Sequence, residues 1–266
     1  MSEQQDVVTE LSGAGVLAGV RWAYVSATAR TLEMYSEADG HDAAWLGNTR
    51  FTYFRDRLDR VFACERYAVG PQGDRADLDQ LYAELSAQDI SSIPPLDPGL
   101  VVRSNLNGSP GWACGSRRIL LASGVFGKLD RMPWPQKSPT KQRVARQPNP
   151  DPTQPSLFEG FAEEELGGLE FALRTATELD TTTFVLAHAL DALSQKKELV
   201  IGRPRLNSGG GQAWHWRHDV LSAPPTDGGR RLDDSRPSEG PDSMPDAPVR
   251  IRRRDQQRDG RASGDQ

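Results

Sequence analysis

Three consecutive threonines, Thr181, Thr182 and Thr183, open a segment that runs through His188 to Gln195, Lys196 and Lys197. Arg203, Arg205 and Arg217 follow it. These residue types suit nucleic acid: hydroxyl, ammonium and guanidinium groups hold phosphate oxygens, while an imidazole and a side-chain amide match base edges. Asp191 lies in the same segment and would oppose a phosphate. A second polar concentration surrounds Arg103, Ser104 and Asn105 and continues through Trp112, Cys114, Ser116, Arg117 and Arg118. Loops of this composition hold anions or nucleotides when their cations converge on one pocket.

Other chemistries lack their residues. No glycine-rich stretch ends in Gly-Lys-Ser/Thr, and Gly13-Ala14-Gly15 with Gly19 misses the dinucleotide-loop spacing by one residue. His215 and His218 stand three apart, which on a strand puts them on opposite faces, a poor arrangement for one metal. No nucleophile, base and orienting acid can be assembled, so no catalytic residue, cofactor or metal is assigned. Cys64 and Cys114 form no close pair and read as buried free thiols.

The elements that would carry these residues follow from periodicity. Residues 11–37 are apolar and helix-permissive. Phe51, Phe54, Leu58, Val61 and Phe62 recur at helical spacing behind a cap at Asn48 or Thr49, with Arg50, Arg57 and Arg60 placed mainly off that stripe. A third helix is expected over 76–87, stopped by Pro94 and Pro95. Short strands are expected at 100–102 and 119–122. Residues 131–155 hold seven prolines and five basic residues against one acid, a composition for an extended linker. Beyond it, Ser156 and Glu159 have capping-box spacing, and a helix with Leu157, Phe161, Leu166, Leu169 and Leu173 follows. A second helix is expected over 181–196, with Val185, Leu186, Ala189, Leu190 and Leu193 on one face. A strand at 198–201, a glycine tip at 207–211 and a strand at 214–218 come next. The residues from 222 on carry nine arginines against nine acids and almost no large apolar side chain, so they read as a disordered tail.

These pieces predict an α+β, helix-dominated chain. Its domains are a helix-rich region of unknown function at 11–130, the linker 131–155, a module at 156–221 and the tail 222–266. No apolar run has the length of a membrane span, so a cytoplasmic protein without a membrane partner is expected. Only five of the 32 basic residues are lysine, the signature of GC-rich codons and so of a high-GC bacterium or its phage.

Helix, turn, helix, strand, glycine tip, strand is the order in which 156–221 resembles a winged helix-turn-helix. That resemblance implies DNA binding. The helix over 181–196 would enter the major groove, and Arg203, Arg205 and Arg217 on the wing would meet the backbone. Many winged helices bind proteins instead. Gln154-Pro155-Ser156-Leu157-Phe158 also resembles the peptide by which bacterial replication and repair proteins hold the sliding clamp, with Gln154, Leu157 and Phe158 as its contacts. A DNA-associated binding protein is therefore expected. An enzyme or nucleotide-binding protein using the first region, or a protein adaptor, is the alternative.

Overall fold

A computed structural model describes residues 2–69, 75–150 and 181–222. Those residues build one mixed sheet with helices. The strands are β1 (Val102–Arg103), β2 (Gly111–Cys114), β3 (Arg117–Ser123), β4 (Thr182–Leu190), β5 (Lys197–Pro204) and β6 (Trp214–Asp219). They lie in chain order, antiparallel throughout except for the parallel central pair β3–β4, whose register sets Ser123 opposite His188. The helices are α1 (Glu3–Gly13), α2 (Val16–Met34), α3 (Ala43–Val61), α4 (Arg75–Tyr82), α5 (Ala87–Ser92) and α6 (Pro139–Ala145). No helix among the described residues is long and apolar enough to cross a membrane.

The expected helix over 181–196 is strand β4. Its buried run extends from Thr183 to Ala189, with side chains packed on both sides of the sheet. Phe184 and Leu186 face the α1–α3 layer, while Val185, Ala187 and Ala189 face the layer carrying α6. A strand covered on both faces reads as a continuous apolar run, and a short run of that kind also satisfies a helical wheel. The β-branched Thr182, Thr183 and Val185 favour the strand. The first expected helix of the module, 156–176, the clamp-like peptide and the tail beyond Ser222 lie outside the described residues.

The expected linker is partly core. Within it Trp134, Val144 and Ala145 are buried with Leu129 and Met132 against β4 and β5. Trp134 meets Trp214 edge-on with ring centres 5.2 Å apart, and its Nε1 donates to the Ala213 carbonyl at 2.6 Å. The sheet thus crosses the expected boundary between 11–130 and 156–221.

On the other face α2 packs along α3. The single helix expected over 11–37 is two, because Gly15 sits at φ 75°, a left-handed turn that ends α1 and starts α2. α3 starts at Asp42, whose carboxylate accepts from the Trp45 amide, rather than at Asn48 or Thr49. Its buried face runs Leu46, Arg50, Phe54, Arg57, Leu58 and Val61. Arg50, Arg57 and Arg60, expected mainly off the stripe, are all buried.

Candidate cationic site at the ends of the central strands

Three buried arginines on one helix need partners, because an unpaired buried charge is costly. Two of them have partners. Arg57 donates to Asp56 at 2.7 Å and to the Ser26 hydroxyl at 3.0 Å. Arg60 binds Asp56 at 2.8 Å and the Gln80 and Leu81 carbonyls, tying the α4 segment to α3. Burial alone would raise the Asp56 carboxyl, but hydrogen bonds from Tyr67, Arg60 and Arg66 outweigh it and hold it below the ordinary aspartate value. Arg50 is different. It is 4 % exposed, its Nε has no partner, and no carboxylate among the described residues pairs with it.

Arg50 stands one helical turn before Phe54, so the two share a face. Phe54 meets the His188 ring edge-on at 5.3 Å, and the Phe51 ring lies 6.3 Å away. His188 is fully buried near the carboxyl end of β4. Its Nε2 lies 3.3 Å from the Ser123 hydroxyl at the carboxyl end of β3, and its Nδ1 has no partner. Tyr24 from α2 closes one side, donating its hydroxyl to the Ala189 carbonyl at 2.6 Å. From the opposite layer Lys137 donates to the Ser123 carbonyl at 2.7 Å. Lys141 follows four residues later on α6, half-buried, with no hydrogen bond or ion pair among the described residues.

Electrostatics joins the two layers. Burial, then the charges of Arg50, Lys141 and Lys137, drive the His188 imidazolium well below its usual range, so the ring is neutral. Burial lowers Lys137, and burial with the Lys137 charge lowers Lys141. Tyr24 is pushed up to about 12, chiefly by burial and against the pull of Arg50. The carboxylate whose charge reaches Tyr24 is Glu198, and its Oε2 is held by the Gly127 amide at 2.8 Å. The charges of Arg50 on one side of the sheet and of Lys137 and Lys141 on the other thus bear on one neutral imidazole near the carboxyl ends of β3 and β4, and no ion pair among the described residues engages any of the three. Such a group can bind an oxyanion with charge-assisted hydrogen bonds.

The residues expected to touch DNA are dispersed. Thr182 is exposed, but Thr183 is buried, exchanging two hydrogen bonds with Gln147. Thr181 is half-buried beside it. His188 belongs to the cationic cluster. Arg203 is buried, paired with Glu3 at 2.7 Å and bound to the Pro148 carbonyl. Arg217 pairs with Asp130. Gln195, Lys196 and Lys197 are exposed around the β4–β5 turn, whereas Arg205 is exposed past the far end of β5. At strand spacing the two sets are roughly 25 Å apart.

The loop arginines do not converge either. Arg103 stacks over Trp112 at 4.4 Å and binds Asp59 and Asn105. Arg117 pairs with Glu10, and Arg118 donates to Ser104. A concavity of about 430 Å³ along β6 is lined by Arg131, Gln212, Trp214, His215, Trp216 and Arg217, with Asp130. Its polar groups are largely engaged: Trp214 Nε1 donates to the Leu129 carbonyl, Trp216 Nε1 donates to Glu3, and Arg217 pairs with Asp130.

Sequence reasoning missed Arg50, Ser123, Lys137 and Lys141. A usable signal was present: in a chain with only five lysines, two stand four residues apart. No family model matches the chain, and no curated protein and no solved structure matches it.

Proposed function

We propose that this chain is a binding protein for a small phosphorylated ligand, held by Arg50, Lys137, Lys141 and His188 at the carboxyl ends of β3 and β4. The observation that carries this reading is Arg50, a core arginine with an unpartnered Nε on a helix whose other buried arginines are both paired. A buried cation without a counter-charge is offset most directly by an anion from outside the chain. The planar guanidinium suits two phosphoryl oxygens, and the ammonium groups add point charges. Phosphate could come from a free small molecule or from a DNA backbone, which would keep the DNA-associated expectation. The burial of Arg50 and His188 favours the small ligand, because backbone phosphates are met by exposed cations.

Calorimetric titration of the full chain with inorganic pyrophosphate, ATP and a mixed-sequence duplex separates these sources. Saturable binding of pyrophosphate or ATP, lost in Arg50→Met, is the expected result. Duplex binding that survives Arg50→Met, with no pyrophosphate heat, would move the function to the exposed cations. No binding of any probe at low salt would contradict the reading.

A further inference from the structure

The concavity along β6 contains groups that the fold itself does not use. Its rim is fixed: the Ala213 amide donates to the Asp130 carbonyl at 2.8 Å, Trp214 Nε1 donates to the Leu129 carbonyl at 2.8 Å, and Arg217 pairs with Asp130. The turn Leu129–Arg131 is thereby held against β6 and carries Arg131 to the lining. Arg131 and Gln212 are exposed and His215 is half-buried. The side chains of these three have no hydrogen bond or ion pair among the described residues.

The strand ladder explains why His215 is there. Arg203 pairs with Trp216 and Pro204 with Trp214, so β6 advances two residues where β5 advances one, and His215 is the extra residue. The extra residue of a bulge drops out of the ladder and its side chain is re-aimed. Here it lines the concavity. Burial, then the charges of Arg205 and Arg203, lower the ring to about 4, so at neutral pH it is uncharged and offers one donor and one acceptor nitrogen.

Charge sets the class of ligand. Arg131 and Arg217 against Asp130 leave the lining with one positive charge, which one monoanion neutralises. A dianion would leave a net negative charge beside the Asp130 carboxylate. A guanidinium with its fork free suits a carboxylate. A volume of about 430 Å³ flanked by the half-buried Trp216 suits an organic body rather than a bare ion. We infer that this concavity binds a small planar monocarboxylate, with the carboxylate on Arg131 and the body along His215 and Trp216. The site is separate from the anion site at β3 and β4 and does not rest on it.

The test titrates the full chain by calorimetry with benzoate and with benzamide, its neutral counterpart. Saturable binding of benzoate and none of benzamide is expected, with no displacement of benzoate by pyrophosphate. Arg131→Gln, at an exposed position, should weaken benzoate binding roughly tenfold, the loss of a charge-assisted hydrogen-bonded contact. Lys128→Gln removes an exposed cation that does not line the concavity and should leave benzoate binding unchanged. His215→Gln should weaken benzoate without changing the charge of the site. Equal affinity for benzoate and benzamide, full affinity in Arg131→Gln, or an equal loss in Lys128→Gln would overturn the inference. So would displacement by pyrophosphate, or no saturable benzoate binding at millimolar concentration.

Discussion

The histidines show how position sets what a titratable side chain does to stability. His215 sits half-buried in β6, and burial, with Arg205 and Arg203 nearby, lowers it from 6.5 to about 4. His188 is lowered in the same sense by burial and three cations. Between the unfolded and folded values the unfolded chain binds more protons than the folded one. Stability is therefore complete above pH 6.5 and falls as the pH drops towards 4. Urea unfolding followed from pH 7.5 to pH 4.5 should show the midpoint falling on the acid side. His215→Gln should flatten part of that fall, because glutamine does not titrate and His188 continues to. An unchanged pH slope in the variant would show that His215 is not held neutral by its surroundings. Cys64, buried with its thiol donating to the Val101 carbonyl and raised to about 11, stays protonated across this range and leaves the slope alone.

At the scale of elements, β5 and β6 show what was legible and what was not. Both strands and the glycine tip between them follow from alternation and turn residues, and they stand where expected within a few positions. Trp214 and Trp216, two apart, should share a face, yet they pack against opposite layers: Trp214 on Trp134 and Trp216 on Phe184. A bulge at Arg203/Pro204 shifts the register between them, and Pro204 within the strand is the residue that marks an edge or bulge there. The mistaken helix over 181–196 has a different cause. A strand shared by two cores has no polar face, so periodicity had nothing to report. β2 was missed because its four residues lie among turn signals. Gly202 in β5 makes a direct prediction: a Cβ there would strike the Trp216 carbonyl and the Trp214 ring. Gly202→Ala should cost about 1–3 kcal/mol in chemical denaturation, the range for overpacking a filled core. A neutral effect would mean that β6 can shift away from β5 without loss.

For the whole molecule, the central pair β3–β4 brings together residues from parts of the chain read as separate domains: Arg50 from the first, Lys137 and Lys141 from the expected linker, and His188 from the expected module. That is why the site was not legible. Each of its residues has an ordinary local reading, as a helix charge, a linker cation or a helix-surface imidazole. Only the parallel pairing of two strands far apart in sequence lets their charges bear on one imidazole. A site kept for a ligand at the expense of the empty fold predicts an inverted stability response. The most direct measurement is thermal unfolding of the wild-type chain and of Arg50→Met, each with and without inorganic pyrophosphate. Arg50→Met should melt higher than the wild type when both are empty, because a buried unpaired charge is gone, and pyrophosphate should raise the wild-type midpoint but not that of the variant. A lower melting temperature for the empty variant, together with no response of the wild type to pyrophosphate, would contradict the anion-binding reading.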